Sequence, residues 1–413
     1  MSLFTSSHFA SACAAGTDWR DTSKNVLEKL DGIRTDNDDF NFGILYISDY
    51  LADDVTSILN LFKSVLKIDA WVGSVGMGVI GCSESFVDQP AISAMLCRFP
   101  ENGFCLFPEI SDENEALKMQ HNVQKWVVDN EPLTAIVHGD PVADEDPRAV
   151  LIDMERSTNS FVIGGMSSSR SQHYQIAGSV FDNAISGAFL SPDIQIATAL
   201  SQGCEPIGAY HTITKTDENV ILEIDEEKAL KVFQNDLRAV AAQNLGKNHE
   251  DFLSEIQMIE NSDRIPPEFK SLFKGDVHIA FPRAQSDLND YLVHNILGIN
   301  PDEGSITVSD NVEPGETIFF VERNAKNIET DLTKSLIALQ KRILHERGHF
   351  RPKAALYISC IARGFTKSSE TGSNEIKIIH DVLGNIPMTG FYAGGEISNA
   401  QIYGYTGILT LFF

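Results

Sequence analysis

The chain has 413 residues, of which 43% are hydrophobic and 22% are charged, and its formal net charge is −26. This length and mix predict a globular protein of about two domains that can bury a sizeable core. The negative charge argues against nucleic acid and anionic membrane surfaces as partners, because their phosphates would be repelled.

The cysteines and the apolar runs indicate the compartment. Cysteines occupy positions 13, 82, 97, 105, 204 and 360, and none forms a Cys-x-x-Cys pair. This scatter favours buried thiols in a reducing cytoplasm over disulfides or a zinc site. Because no apolar run approaches the roughly 20 residues of a membrane helix, we expect a cytoplasmic protein without membrane insertion.

The first elements predicted along the chain alternate between helix and strand. Residues 1–39 are predicted to be an N-terminal extension that contains a helix at 17–30. Phe42–Ile47 is a buried strand, and apolar residues at helical spacing between Val55 and Val65 predict an amphipathic helix. The glycine-rich stretch after Trp71 lacks the spacing of a phosphate loop, so it predicts a strand with close backbone approach and then a turn.

Two hairpins are predicted in the next part of the chain. Ala91–Leu96 and Gly103–Phe107 form the first, and Ala184–Leu190 and Asp193–Leu200 form the second. In each pair, two apolar segments are separated by a short polar stretch that contains proline, which is a pattern typical of hairpins.

Between these hairpins, a strand ends in a polar loop. Ser160–Met166 is followed directly by three serines, and His173 lies a few residues beyond them. Hydroxyl groups beside the two glycines of the strand end can contact a ligand, and they can equally satisfy the backbone of their own loop. We predict ligand contacts at Ser167 and Ser168, with the second role as the alternative.

The second half of the chain begins with helices. Glu226–Gln243 and Asp251–Ile259 are predicted to be helical, and Pro266-Pro267 ends this region. Short strands follow, and the apolar spacing from Leu332 to Ile343 predicts a long helix. Strands outnumber crossover helices, so we predict an α+β fold with two domains, whose sheets are largely antiparallel or mixed and covered by helices. No repeat of 20 to 50 residues is evident in the sequence.

The stretch from Pro352 to Ile397 concentrates polar groups at the ends of apolar elements. A buried strand runs into Cys360 and Arg363, a helix covers 374–383, and a glycine-rich turn ends in Glu396. Apolar walls with a few placed polar groups are typical of ligand pockets. We predict a pocket lined by Cys360, Arg363, Tyr392 and Glu396, and an ion pair between Arg363 and Glu396 is the structural alternative.

These motifs resemble the FIST family of sensory domains. In the C-terminal FIST domain the resemblance rests on Cys360, Arg363, Gly364, Pro387, Gly390, Phe391, Gly395, Glu396 and Ile397. In the N-terminal FIST domain it rests on the strand that leads into Gly81-Cys82-Ser83, the turn at Gly164-Gly165, and the Gly-Cys-x-Pro-Ile-Gly turn at 203–208. It covers about residues 40 to 405, which implies a FIST N domain at 40–230 and a FIST C domain at 231–413.

The resemblance implies a sensory protein that binds a small ligand and signals through a separate partner, such as a histidine kinase. An amino-acid-like zwitterion would place its carboxylate on Arg363 and its ammonium on Glu396, with Tyr392 as a wall. Because some members of the family are haem-binding gas sensors, a nitric oxide sensor of the same fold is an alternative. No Cys-x-x-Cys-His motif is present, so haem would bind noncovalently, with His173 as the candidate axial ligand.

A thiol-dependent enzyme is the third hypothesis. Cys82, Cys204 and Cys360 each stand at a strand end near a glycine. No Gly-x-Ser-x-Gly elbow is present, and no histidine follows these cysteines at a recognisable spacing. Buried structural thiols therefore explain them better than catalysis does, and we expect the protein not to be an enzyme.

Overall fold

The computed structural model describes residues 5–6, 8–33, 39–81, 83–110, 121–244, 277–283, 290–364 and 371–413. The chain forms two compact units: unit 1 comprises Met1–Ser201 and Glu329–Phe413, and unit 2 comprises Gln202–Ile328. Residue 230, the expected domain boundary, falls within unit 2. Cys82, the predicted helix at 251–259 and Pro266-Pro267 lie outside the described residues.

The first segment of unit 1 places two helices on one face of a sheet. Asp18 begins the first helix, because its side chain accepts hydrogen bonds from the backbone N–H groups of Arg20 (2.8 Å) and Asp21 (2.9 Å). The elements are β1 (Thr5–Ser6), β2 (Phe9–Ala15), α1 (Trp19–Asp31), β3 (Phe42–Ser48), α2 (Val55–Leu66), β4 (Trp71–Gly76), β5 (Gly78–Ile80), β6 (Ser85–Val87) and β7 (Ala91–Cys97).

The close backbone approach predicted for the glycine-rich stretch is confirmed. A Cβ atom at Gly73 of β4 would lie 1.8 Å from the carbonyl oxygen of Leu45 on the parallel strand β3. Only glycine fits at this position.

The second segment of unit 1 continues with the same kinds of element. They are β8 (Phe104–Ile110), α3 (His121–Asn130), β9 (Thr134–Gly139), α4 (Pro147–Thr158), β10 (Phe161–Met166), β11 (Gln175–Ala177), β12 (Val180–Phe181), β13 (Ile185–Leu190) and β14 (Ile196–Ser201).

Unit 2 is an antiparallel sheet with a helix packed on it. Its strands lie in the order β19-β18-β22-β15-β16-β21-β20, with β17 paired to β16. The elements are β15 (Cys204–Asp217), β16 (Val220–Ile224), β17 (Glu227–Lys228), α5 (Ala229–Asn244), β18 (Val277–Pro282), β19 (Tyr291–His294), β20 (Ile296–Asn300), β21 (Ser305–Val308) and β22 (Thr317–Arg323).

The chain then returns to unit 1 through a long helix. The remaining elements are α6 (Ala325–Arg347), β23 (Ala354–Cys360), α7 (Ile361–Gly364), α8 (Thr371–Leu383), β24 (Met388–Ala393), β25 (Gly395–Ser398), β26 (Gln401–Tyr403) and β27 (Gly407–Phe412).

Three segments of unit 1 share one topology. In each, a helix joins two parallel strands, as in β3-α2-β4, β9-α4-β10 and β23-α8-β24. A further strand, β7, β13 or β27, pairs antiparallel with the first of the two. After the second parallel strand, the chain crosses into another sheet and forms a hairpin there. Thus β5–β6 extends the sheet of β24, β11–β12 extends that of β4, and β25–β26 extends that of β10.

This exchange of hairpins completes the three sheets described in unit 1. Their strand orders are β1-β2-β7-β3-β4-β11-β12, β8-β13-β9-β10-β25-β26 and β14-β27-β23-β24-β5-β6. The repeated unit is longer than the 20 to 50 residues considered from the sequence, since the first parallel strand recurs from Phe42 to Thr134.

Both predicted hairpins are wrong. Strands β7 and β8 belong to different sheets, and so do β13 and β14. Each pair spans the boundary between two segments, so each strand pairs with a partner distant in sequence. An apolar pattern marks a strand as buried, but it does not identify the strand beside it.

The predicted fold class is confirmed, because both units combine helices with mixed or antiparallel sheets. One core of unit 1 lies on the inner faces of its sheets and includes Ile44, Ile136 and Ile358. Helices cover the outer faces. Within the described part of the chain, no helix is both long enough and apolar enough to cross a membrane.

Candidate functional site

The structure brings four of the predicted site residues together at one end of β23 and β24. Arg363 follows β23 on the short helix α7, Cys360 ends β23, Tyr392 lies on β24, and Glu396 lies on β25. All four side chains are buried. The charge of Arg363 acts on both Tyr392 and Glu396, because it lowers the pKa of each. We call these four residues the Arg363 cluster.

Arg363 forms its ion pair with a residue that the sequence did not single out. Its Nη2 lies 2.5 Å from Oε1 of Glu375 on α8, and both side chains are at most 1% exposed. Its Nη1 donates to the carbonyl oxygen of Ser201 (3.0 Å). The hydroxyls of Tyr357 and Ser359 donate to Glu375 at 3.1 and 3.2 Å. Glu375 lies four residues before buried Ile379, and residues at this spacing share a helix face. The helical spacing in the sequence could therefore have indicated that Glu375 faces the interior.

A glycine makes room for this network. A Cβ atom at Gly407 would lie 2.6 Å from the Tyr357 hydroxyl and 3.0 Å from Nη1 of Arg363. Since two ions removed from water cost several kcal/mol each, such a pair persists only where good geometry compensates the loss.

Glu396 is held by a threonine rather than by Arg363. Its Oε2 accepts hydrogen bonds from the backbone N–H (3.0 Å) and the hydroxyl (2.8 Å) of Thr406. Burial raises the pKa of Glu396 to about 8, although Thr406, Arg363 and Cys360 each lower it. Glu396 is therefore largely protonated at neutral pH. Its Oε1 is buried and makes no hydrogen bond of ordinary geometry to the described residues.

Tyr392 also has an unsatisfied polar atom. Its ring is completely buried and its pKa is raised by burial. Ser85 lies near enough to lower this pKa, but the hydroxyl makes no hydrogen bond of ordinary geometry among the residues described.

The serine loop after β10 meets this region through the Tyr392 backbone. Ser168 Oγ donates to the Tyr392 carbonyl oxygen (2.5 Å) and accepts from the backbone N–H of Met77 (2.9 Å). Ser167 Oγ instead lies 2.8 Å from Nδ1 of His173. Ser168 therefore satisfies backbone groups of two other segments rather than the backbone of its own loop.

His173 does not fit a haem site. Ser167 holds its Nδ1 as an orienting residue of a metal ligand would. However, Arg170, Ser171 and Gln172 beside it are polar and exposed, whereas the face of a haem requires apolar surroundings. Across the described ranges, no group of three or more His, Cys, Asp or Glu residues is arranged to hold a metal ion.

A second buried feature, which the sequence did not reveal, lies where the three sheets of unit 1 meet. Tyr46 of β3 stacks on Phe391 of β24 with ring centroids 4.6 Å apart, and its hydroxyl lies 3.0 Å from Nε2 of His138 on β9. Burial lowers the pKa of His138 to about 3 and raises that of Tyr46, so both are neutral at pH 7. In the sequence His138 was merely an isolated histidine, and nothing nearby indicated its partners.

Comparisons with known proteins agree with this architecture. The model of the FIST N domain matches residues 41–227, and that of the FIST C domain matches residues 229–399. An uncharacterized protein of Mycobacterium tuberculosis is 24% identical over 370 residues, which cover 87% of this chain and 88% of that protein. An uncharacterized protein of Mycobacterium bovis is 26% identical over 225 residues, covering 54% of this chain and 51% of that protein. The chain therefore belongs to the FIST family, whose domains are sensory domains of signal transduction.

Proposed function

We propose that this protein senses a small amino-acid-like ligand at the Arg363 cluster and signals through a separate partner protein, such as a histidine kinase. The family supports the sensory role. The cytoplasm is the proposed location, because five cysteines are present as thiols, namely Cys13, Cys97, Cys105, Cys204 and Cys360.

One observation carries the proposed site. Tyr392 and Glu396 each bury an oxygen atom that makes no hydrogen bond of ordinary geometry to the described residues, and both lie within the field of Arg363. An unsatisfied buried polar atom costs about 1–3 kcal/mol. Two of them beside a buried ion pair therefore favour a site that a small polar ligand completes.

The chemistry of the cluster suits a zwitterion. A ligand ammonium beside Glu396 would favour the carboxylate form and lower its pKa from about 8. Binding at neutral pH would therefore release a proton from Glu396. A ligand carboxylate would take the place of the Ser201 contacts of Arg363. Ser168 would contribute by holding the Tyr392 backbone, with Ser167 and Cys360 at the border of the site.

No observation favours the haem sensor or the thiol-dependent enzyme over this proposal. The surroundings of His173 are polar. Of the cysteines considered as nucleophiles, Cys204 and Cys360 are buried, which suits structural thiols better than reactive ones.

Isothermal titration calorimetry of the full chain tests the proposal. A panel of amino acids is compared with the matching amines, which lack the carboxylate, and the matching acids, which lack the ammonium. We expect one amino acid to bind at least tenfold more tightly than its amine and its acid. We also expect the heat to depend on the ionisation enthalpy of the buffer, because binding releases a proton.

Two matched tyrosine variants separate binding from stability. Tyr392→Phe removes a hydroxyl that makes no hydrogen bond of ordinary geometry to the described residues, so it should weaken binding about tenfold and lower the melting temperature less than Tyr357→Phe does. Tyr357→Phe removes a hydroxyl that donates to Glu375, so it should lower the melting temperature. If no amino acid binds, or if Tyr392→Phe binds as tightly as the wild type, the proposed site is wrong.

A further inference from the structure

Unit 1 contains a groove of about 1090 Å³ that lies far from the Arg363 cluster. It is lined by the end of α6, the segment that leads into β23, the beginning of β14 and Phe413. Lys353 stands immediately before β23, whereas Cys360 ends that strand. Seven residues of strand span about 20 Å, so the groove and the cluster lie at opposite ends of β23.

Cations predominate in this groove although the whole chain carries a net charge of −26. Two acidic residues, Asp193 and Glu346, also line it. In the described part of the structure, no carboxylate forms an ion pair with any of the four basic side chains. These are Arg342, Arg347, Arg351 and Lys353.

The hydrogen-bond partners of the two helical arginines are neutral. Arg342 Nη2 donates to the carbonyl oxygen of Thr198 (3.1 Å), and Arg347 Nη1 donates to Oε1 of Gln195 (3.0 Å). Elsewhere in unit 1, Arg170 holds Asp49 through two nitrogen atoms, and Arg363 pairs with Glu375. Among the described residues, no carboxylate is thus in ion-pair contact with the positive charges of the groove.

The groove also has an apolar floor. Phe161, Phe413 and Ile343 line it, and Leu133 leaves 59% of its surface exposed there. The guanidinium carbon of Arg347 lies 4.3 Å from the centroid of the Phe413 ring. This cation–π contact and the bond to Gln195 fix the guanidinium before any ligand arrives, which reduces the entropy cost of binding.

We propose that this groove binds a small phosphate ester that carries an aromatic or aliphatic group. The phosphate would contact the guanidinium groups, whose planar fork matches its oxygen atoms, and the organic group would cover the floor. The volume suits a small molecule. A nucleic-acid polymer is disfavoured because its remaining phosphates would face an acidic protein.

Phenyl phosphate, inorganic phosphate and phenol are the probes that test this proposal by calorimetry on the full chain. Phenyl phosphate should bind more tightly than either of the others, and salt should weaken its binding. The double variant Arg342→Gln/Arg351→Gln should lower its affinity at least tenfold. Leu133→Ser should weaken phenyl phosphate but leave inorganic phosphate unaffected.

Arg156→Gln is the matched control, because Arg156 is an exposed arginine of α4 whose side chain is 77% accessible to solvent. It removes one positive charge that does not line the groove and should leave the affinity almost unchanged. The proposal fails if phenyl phosphate shows no saturable binding. It also fails if the Arg342/Arg351 double variant loses no more affinity per charge removed than Arg156→Gln, since the attraction would then be a general effect of charge.

Discussion

The Ser168 hydroxyl donates a hydrogen bond to the Tyr392 carbonyl oxygen at 2.5 Å and accepts one from the Met77 backbone N–H at 2.9 Å. Each of these three residues lies where a different segment of unit 1 crosses into its neighbour's sheet. The backbone N–H of Gly394 adds a bond to the carbonyl oxygen of Met166 (3.0 Å). One side chain therefore joins all three crossings, and the Arg363 cluster is built beside this junction.

Ser168→Ala should destabilise the protein by about 1–3 kcal/mol, because it leaves a partly buried N–H and a buried carbonyl without their partner. Urea unfolding would measure this loss. Ser167→Ala serves as the control, since the Ser167 hydroxyl contacts the partly exposed His173 side chain and should contribute less. Equal losses for the two variants would show that the junction is not held by Ser168.

Arg363→Met should cost about 3–5 kcal/mol, because it leaves Glu375 as a buried charge without its counter-ion. The double variant Arg363→Met/Glu375→Gln should cost less than the sum of the two single variants, and a double-mutant cycle measures that difference. The exposed pair Lys24–Glu28 offers a contrast, with an expected coupling below about 1 kcal/mol. Additive losses at Arg363 and Glu375 would contradict the coupling.

Strands and helices could be predicted from the sequence because their signals are local. The apolar run after Lys353 and the helical spacing before Gly384 are examples, and both elements are present. Which strands pair with each other could not be predicted, because strand pairing depends on contacts between residues distant in sequence. The two hairpins failed for this reason, and the exchange of hairpins between segments leaves no local pattern.

The same distinction holds for the candidate site, where local positions could be predicted but side-chain partners could not. The buried position of Arg363 followed from the apolar strand before it, whereas the sequence placed Glu396 only at the end of a glycine-rich turn. Which carboxylate meets Arg363 depends on how α8 packs on β23, so Glu375 was missed. The basic groove was missed because its cations come from a helix end, where basic residues are common, and from the segment that follows it.

Stability should fall as the pH rises from about 4.5 to about 8, because Glu396 has a folded-state pKa of about 8 against an ordinary value of 4.5. In this range the unfolded chain loses the proton that the folded chain retains, so unfolding becomes easier. Glu396→Gln should reduce this pH-dependent loss in the free energy of unfolding by several kcal/mol. The check is urea unfolding of both proteins at pH 5, 7 and 9, and parallel pH curves would rule out a buried neutral Glu396.

In unit 2, His211 should stabilise the fold at low pH. Its Nδ1 and Nε2 lie 2.6 and 2.9 Å from carboxylate oxygens of Asp225 and Asp236. Burial lowers its pKa, but the two aspartates outweigh burial and raise the pKa above 6.5. The stabilisation that His211 contributes is thus complete below pH 6.5, and it is lost as the pH rises through the folded-state pKa of His211. His211→Gln should destabilise unit 2 more at pH 5.5 than at pH 9, as hydrogen exchange of its strands would show.

Unit 1 should fold without unit 2. Ser201 Oγ donates to Oδ2 of Asp331 at 2.9 Å, so the chain leaves unit 1 and returns to it at neighbouring points. A short Gly/Ser linker in place of Gln202–Ile328 can therefore close the gap at a small cost in loop entropy. We expect this shortened chain to unfold cooperatively and to retain its near-ultraviolet circular dichroism.

Cutting the chain near residue 250 should instead prevent unit 1 from folding as separate, stable fragments. It leaves β14 and the β5–β6 hairpin on one fragment and their partners β27 and β24 on the other. Each fragment would then carry an incomplete sheet with an exposed edge, so we expect the two to associate or aggregate. Size-exclusion chromatography with light scattering distinguishes the outcomes. Two stable monomeric fragments would show that the segments fold independently and that the exchanged hairpins contribute little to stability.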